Sequence, residues 1–144
     1  MRLRALALVG CMLFTGSATG ALGGRLASAD PTVTSATPPE RPPAPSAVLF
    51  ADNPSIVNSR AQPFDSWSRL ANGDALALYF TVGSPECSGV HANVSETSET
   101  VAVEFRSGTL PEAVGRMCTM IAVFGSVDVP LQNPLGDRQV LSVY

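Results

Sequence analysis

Apolar side chains stand at every second position over much of the stretch from residue 75 to residue 106, and this period constrains the fold more than any other feature. The first run holds Leu76, Leu78, Phe80 and Val82, with alanines and Tyr79 between them. Successive side chains of a β-strand point to opposite faces, so such a run predicts a strand with one face on a core. The chain is therefore expected to be rich in β-structure.

The next two alternating runs, 90–95 and 101–106, are predicted to form a hairpin. A four-residue loop over 96–99 would place every inward residue opposite an inward partner. The predicted pairs are Val94 with Val101, Ala92 with Val103 and Val90 with Phe105. The same register sets His91 opposite Glu104, as an exposed cross-strand ion pair.

The last third of the chain is predicted to supply the remaining strands. Residues 117–124 are apolar on both faces, which is typical of a central strand, and a short strand is expected at 127–129. A turn over 134–137 precedes a final strand at 139–144. About six strands and hardly any helix indicate an all-β fold, a small β-sandwich or an open barrel.

The beginning of the domain is less regular. Residues 48–50 are predicted to be an edge strand or a packed loop, because Asn53-Pro54 interrupts the apolar pattern. Phe64, Trp67 and Leu70 follow at intervals of three, a spacing that favours a single helical turn. Trp67 is expected to lie in the core.

Residues 1–29 are predicted to be a signal peptide. Two arginines precede an uncharged run over 5–24, and Ala27-Ser28-Ala29 has the small residues that signal peptidase requires. Lipidation at Cys11 is an alternative, since Leu8-Val9-Gly10-Cys11 fits a lipobox, but the apolar run continues beyond Cys11. An uncleaved anchor over 5–24 is a third interpretation. All three place the rest of the chain outside the cytoplasm, secreted or in the cell envelope.

The remaining chain divides into a linker and one domain. Residues 30–47 contain six prolines among Ser, Thr and Ala, and this composition predicts a disordered, Pro-rich linker. Residues 48–144 are long enough for a single β domain with a modest core. Cys87 and Cys118 are the cysteines of that domain, and an even pair in an exported chain predicts a disulfide. A redox or metal pair is disfavoured, because there is no CxxC and no histidine at ligand spacing.

Charge excludes some partners. Residues 30–144 carry twelve acidic residues against six arginines, a formal net charge of −6. A nucleic-acid partner is not expected, because binding phosphates requires a basic face. Membrane contact is expected only through the signal segment or a lipid anchor. The chain contains no lysine, which removes Schiff-base catalysis and the phosphate-binding loop lysine.

No catalytic, cofactor-binding or metal-binding residues are predicted. The chain has none of the motifs of serine hydrolases, zinc proteases, nucleotide-binding loops or calcium loops. A serine triad or a zinc site would have to use His91, the only histidine. Ten acidic residues in the domain leave open a pair of carboxylates at hydrolase spacing.

Four segments carry a resemblance to known proteins. They are Glu86-Cys87-x-Gly89-Val90, Val94-x-Glu96-Thr97, Cys118 before an apolar stretch, and Pro134-Leu135-Gly136-Asp137-Arg138 before the last strand. Over about residues 74–143 the chain resembles small exported proteins of mycobacteria and related actinobacteria. That group has no assigned activity, so the resemblance implies an envelope location and a disulfide-linked β domain, and it supplies no catalytic residues.

The sequence favours a noncatalytic envelope or secreted domain that binds a protein, glycan or lipid partner. Export, the Pro-rich segment and the missing catalytic residues are the basis of this hypothesis. The alternative is a small secreted hydrolase that uses paired carboxylates. Two acids facing each other in a cleft would favour the alternative.

Overall fold

The computed structural model describes residues 32–70 and 73–144; the predicted signal peptide and Cys11 lie outside the described residues. The described residues form two β-sheets, and the all-β prediction is confirmed. The strands are β1 (Ser35–Ala36), β2 (Val48–Phe50), β3 (Val57–Ala61), β4 (Ser66–Arg69), β5 (Ala75–Val82), β6 (Ser88–Glu96), β7 (Thr100–Thr109), β8 (Val123–Pro130) and β9 (Gln139–Val143). A 3₁₀ turn covers Pro111–Ala113.

The first sheet is organised around β7. Strand β6 pairs antiparallel with β7 along its whole length. On the other side of β7, β9 pairs in parallel with its first half and β3 pairs antiparallel with its second half. Strand β1 extends this sheet beyond β9.

The second sheet has the order β2-β8-β5-β4. Strand β8 pairs antiparallel with β5 over eight residues, and the three residues of β2 run parallel to its first half. Strand β4 forms the other edge. Residues 127–129, expected to be a separate strand, belong to β8.

The core lies between the two sheets, with aromatic rings at its centre. The Phe80 ring stacks on Phe105 of the first sheet at a centroid distance of 4.4 Å, and Phe50 meets Phe80 edge-on at 5.6 Å. A Cβ atom on Gly125 would lie 2.7–2.8 Å from the Phe50 and Phe80 rings. Only glycine at this position lets the two rings pack against β8 without displacement.

The predicted hairpin is present, but its register is shifted by two residues. Val94 pairs with Val103 rather than Val101, and Glu96 pairs with Val101. The ladder extends further because Thr97 closes the turn, with its Oγ1 accepting hydrogen bonds from the amides of Glu99 and Thr100. A two-residue shift keeps every side chain on its predicted face but changes its partner.

The prediction of a strand over 117–124 is wrong for most of its length. Strand β8 begins at Val123, and the preceding residues form an exposed loop. An apolar stretch indicates burial only when other elements cover it, and residues 114–122 remain exposed in the described structure, with Cys118 bonded to Cys87 in the turn before β6.

The prediction of a disordered linker is wrong for the described residues 32–47. Strand β1 pairs with β9, and Glu40 forms a bridge to Trp67. Residues 38–47, which we call the proline strap, then cross the outer face of the second sheet to reach β2. Their attachment points are the Ala44 amide, which donates to the Tyr79 hydroxyl at 3.1 Å, and the Pro38 carbonyl, which accepts from Trp67 Nε1 at 3.0 Å.

The strap explains why both faces of β5 are buried. Leu76, Leu78 and Phe80 face the core, yet Tyr79 on the opposite face is only 4% exposed. The composition of the segment predicted disorder because the segment has few apolar side chains of its own to bury. The strap is held instead by backbone hydrogen bonds and by covering the side chains of its neighbours.

Trp67 lies in the core, as predicted, but on strand β4 instead of a helical turn. The turn over 134–137 and the last strand agree with the sequence pattern. Leu135, within that turn, is fully buried and packs in the core.

Candidate functional site

The Cys87–Cys118 disulfide is present, with a Cα–Cα distance of 6.1 Å. Cys87 lies in the turn between β5 and β6, and Cys118 lies in the loop over 114–122 between the 3₁₀ turn and β8. The bond therefore ties the middle of that loop to the body of the domain. The crosslink restrains the backbone of the loop, while its exposed side chains keep their rotamer freedom.

That loop presents large apolar side chains to solvent. Met117 and Met120 are fully exposed, at 101% and 97%, and Val114 and Ile121 are more than half exposed. A fully exposed methionine makes almost no contact with its own chain, so these side chains add nothing to the core.

The apolar surface continues onto the second sheet. Phe124 begins the outer face of β8, and Leu49 lies diagonally across from it on β2, opposite Ser126. Both side chains are exposed. We call the surface formed by the loop and these two strand residues the apolar end; its members are Leu49, Val114, Met117, Met120, Ile121 and Phe124.

The sequence of the loop and of the start of β8 contains few charged residues. From residue 113 to residue 127 the chain contains no carboxylate, and Arg116 is its only charged side chain. This stretch lies in a protein whose residues 30–144 carry a net charge of −6. Glu112, just before the loop, lines the same pocket as Leu49 and places one carboxylate at the rim of the apolar end. Exposed apolar side chains rimmed by polar groups are typical of surfaces that bind other molecules.

A second candidate site is a polar network around His91 on the outer face of the first sheet. Nδ1 of His91 lies 3.0 Å from both carboxylate oxygens of Asp52, and Nε2 lies 3.0 Å from Oδ1 of Asn93. The predicted His91–Glu104 pair is therefore wrong: His91 lies opposite Arg106, and its acidic partner comes from the segment after β2. Sequence alone did not indicate Asp52, which is 39 residues away.

The side chain of Asn93 links His91 to Glu104. Asn93 Nδ2 donates to Glu104 at 3.2 Å, so its Oδ1 faces the imidazole. Both ring nitrogens then face acceptors, Asp52 on one side and Asn93 on the other. Only a doubly protonated ring donates to both, and the neutral ring satisfies one of them.

Glu104 continues the network towards β3. The hydrogen bond from Asn93 lowers the pKa of Glu104 most; burial opposes this effect, and the hydrogen bond and charge of Arg106 and the charge of His91 add to it. Arg106 donates to Glu104 at 2.6 Å and to the hydroxyl of Ser59 at 3.2 Å. Within residues 32–70 and 73–144, no serine hydroxyl is hydrogen-bonded to His91, so the network lacks the arrangement of a serine nucleophile and its base.

A cleft of about 350 Å³ opens beside this network, between the edges of β6 and β8. Asp52 and Asp128 line it together with backbone and apolar side chains, and none of its lining residues is basic. The Asp52 carboxylate is already engaged, because it also accepts the Ala92 amide at 2.8 Å. Asp128 is exposed.

The described ranges contain neither a metal-binding cluster nor a membrane-spanning helix. No group of three or more His, Cys, Asp or Glu side chains there could hold a metal ion. In the same residues, no helix combines the length and the hydropathy needed to cross a bilayer.

Sequence reasoning located the disulfide but missed the apolar end. It assigned Met117 and Met120 to the interior, although two signals opposed that choice: a glycine and a charge, Gly115-Arg116, directly precede the stretch, and Cys118 lies within it.

No protein-family model matches this chain, and no curated protein or solved structure matches it. Its function is therefore inferred from the chemistry of its own residues.

Proposed function

We propose that this protein is an exported, noncatalytic domain that binds an apolar partner through the apolar end. The observation that carries the proposal is the full exposure of Met117 and Met120 on a loop crosslinked to the domain. The predicted signal peptide and the disulfide support a secreted or envelope location.

The free energy gained by burying the side chains of this loop at an interface favours a role in binding. Burying one methionine side chain at an interface contributes roughly 1.5 to 3 kcal/mol. The disulfide reduces the entropy that the loop would lose on binding, because its middle is already fixed. Methionine also adapts to irregular surfaces, since it is unbranched and flexible.

The chemistry of the apolar end narrows the class of partner. Glycan sites need hydrogen-bonding side chains beside an aromatic platform, whereas all six members of the apolar end are apolar, with Arg116 in the loop and Glu112 at its rim. A protein or a lipid fits this surface better than a glycan does.

Site-specific photocrosslinking tests the proposal. A photoreactive phenylalanine analogue replaces Met120 in one variant and Val33 in a control, because Val33 is also exposed, at 68%, but lies next to β1. In the native host, position 120 is expected to give a discrete crosslinked product that Met117→Ser reduces. Equal crosslinking at both positions, or none at 120, would contradict the proposal.

A second candidate function rests on one observation: Asp52 and Asp128 line the same cleft. A carboxylate-based hydrolase needs two such groups, one as acid and one as base or nucleophile. Asp52 is less suited to that role because His91 and the Ala92 amide already occupy its oxygens. Turnover of aryl glycosides that is abolished by Asp128→Asn and retained in Asp137→Asn would support this candidate.

A further inference from the structure

The free edge of β6 is the starting point for a second binding site, distinct from the apolar end. Among the described residues, β6 pairs with β7 alone. Its other edge is contacted at one end only, where the Val90 carbonyl accepts from the Asn53 amide and the Ala92 amide donates to Asp52. These two contacts show which backbone groups point away from β7.

Residues at every second position of a strand direct their N–H and C=O groups to the same edge. The backbone groups of Val90 and Ala92 point away from β7, towards the open edge, so the backbone groups of Val94 do too. Because β6 pairs with β7 alone among the described residues, the N–H and C=O of Val94 face the open edge. The edge is therefore unpaired from the Ala92 carbonyl to Glu96, where the Glu96 side chain accepts the Gln132 amide and closes the far end.

The cleft of about 350 Å³ lies against this unpaired edge. From Ala92 to Glu96 the strand rises about 13 Å, the length of a four-residue extended segment. The floor of the cleft includes Val94 and Val129, which pack in the core, so an apolar side chain entering between the sheets would meet apolar atoms.

The acidic residues that line the cleft indicate a cationic ligand. Asp52 and Asp128 are the only charged lining residues of the cleft. A second copy of this chain, itself acidic, would bring further carboxylates to the site. A segment with arginine or lysine beside an apolar residue would instead complement Asp128, which is exposed, and Asp52, whose side chain stays 40% exposed beside His91.

We propose that the cleft binds an extended cationic peptide, which adds to β6 as a new edge strand. Main-chain hydrogen bonds to Ala92 and Val94 hold the peptide, an apolar side chain enters between the sheets, and flanking cationic side chains face Asp52 and Asp128. This mode of recognition uses a preformed strand edge for affinity and the side-chain positions for specificity.

The test uses the oxidised, purified protein and two synthetic peptides. One peptide alternates Arg and Val over seven residues, and the other replaces each Arg with Glu. Titration followed by NMR is expected to show binding of the Arg peptide alone, with slowed hydrogen exchange at the Val94 amide. Raising the salt concentration should weaken the binding, because the charges are exposed.

Two variants make the test specific. Asp128→Asn is expected to weaken binding about two- to five-fold, the range of an exposed ion pair, while Asp137→Asn, in the turn before β9, leaves it unchanged. Val94→Pro removes the outward N–H and should abolish binding, and proline is tolerated at a strand edge. If Val94→Pro does not fold, Asp128→Asn and the exchange of Val94 decide the outcome. No binding of the Arg peptide, equal binding of the Glu peptide, or unchanged exchange at Val94 would overturn the proposal.

Discussion

Arg138 Nη1 lies 2.8 Å from Glu96 Oε2, and the two side chains are 11% and 9% exposed. Glu96 also accepts the amides of Gln132 and Asn133, so one carboxylate joins the end of β6 to the loop before β9. The guanidinium completes the joint by donating to four backbone carbonyls, those of Thr97, Asn133, Pro134 and Leu135. The pair fixes the loop that buries Leu135 in the core.

Replacing Glu96 by Gln is expected to destabilise the protein by about 1.5 to 3 kcal/mol, because charge-assisted hydrogen bonds are lost and backbone amides are left without a good acceptor. Thermal unfolding at pH 7 measures the loss. Glu99→Gln, in the exposed turn three residues later, is the matched control and should unfold at the wild-type temperature. Equal unfolding temperatures for Glu96→Gln and wild type would contradict the role of the pair.

The same carboxylate predicts an acid limb of stability. Burial alone would raise the pKa of Glu96, but the hydrogen bonds from Gln132, Arg138 and Asn133 and the charge of Arg138 together hold that pKa below its ordinary value of 4.5. A lowered folded-state pKa gives stability that is present above the unfolded-state pKa and is lost as the pH falls through the folded value. Denaturant unfolding from pH 7 downwards should show this loss below about pH 4.5. In Glu96→Gln, the free energy of unfolding should change less between pH 7 and the acid end of the titration than it does in the wild type.

The disulfide is expected to contribute about 3 to 4 kcal/mol, since it closes a loop between residues 31 apart in sequence. The double variant Cys87→Ser/Cys118→Ser avoids a free thiol and should unfold at lower denaturant concentration than the oxidised protein. Reduced wild-type protein should resemble the variant. A variant as stable as the oxidised wild type would show that the crosslink does not stabilise this domain.

The hydroxyl of Tyr79 is expected to attach the proline strap to the second sheet. Tyr79→Phe removes the acceptor of the Ala44 amide and the partner of the Ser68 hydroxyl, at a cost of about 1 to 2 kcal/mol. Hydrogen exchange of residues 38–47 should become faster. Tyr144→Phe, at the exposed last residue of the chain, is the control. Unchanged exchange in the strap would show that other contacts hold it.

The faces of the strands were predictable because the two-residue period is a local property. Phe80 and Phe105 were both assigned inward, and they stack in the core. The register of the hairpin was not predictable to better than two residues, since every even shift preserves those faces and the choice depends on the hydrogen bonds of Thr97 in the turn.

The strap and the exposed loop could not be read from local pattern. Residues 38–47 are ordered by contacts with Trp67 and Tyr79, which lie far along the sequence. The loop at Met117 is apolar yet lies outside, because no element of the described chain covers it. In both cases the outcome depends on which distant residues are available as partners.

The candidate site also had a part that sequence could predict and a part that it could not. Cys87 and Cys118 were paired from their number and compartment alone. The contact of His91 with Asp52 depends on the path of the chain after β2, and the position of Asp128 at the cleft depends on where β2 ends. Sequence identified the residue types capable of chemistry, and only the arrangement of strands determined which of them meet.

Two buried serines predict opposite responses to the same substitution. Ser142 is fully buried, and within the described residues its hydroxyl has no hydrogen-bond partner, whereas the buried hydroxyl of Ser68 lies 2.8 Å from that of Tyr79. Burying a polar group costs desolvation free energy, and without a hydrogen-bond partner no interaction offsets that cost. Ser142→Ala should therefore leave the free energy of unfolding unchanged or raise it by up to about 1 kcal/mol. Ser68→Ala should lower stability by about 1 kcal/mol, because it leaves the Tyr79 hydroxyl with one partner fewer. Denaturant unfolding of the two variants side by side measures the difference, and a loss of stability in Ser142→Ala as large as that in Ser68→Ala would show that the Ser142 hydroxyl is bonded in the folded protein.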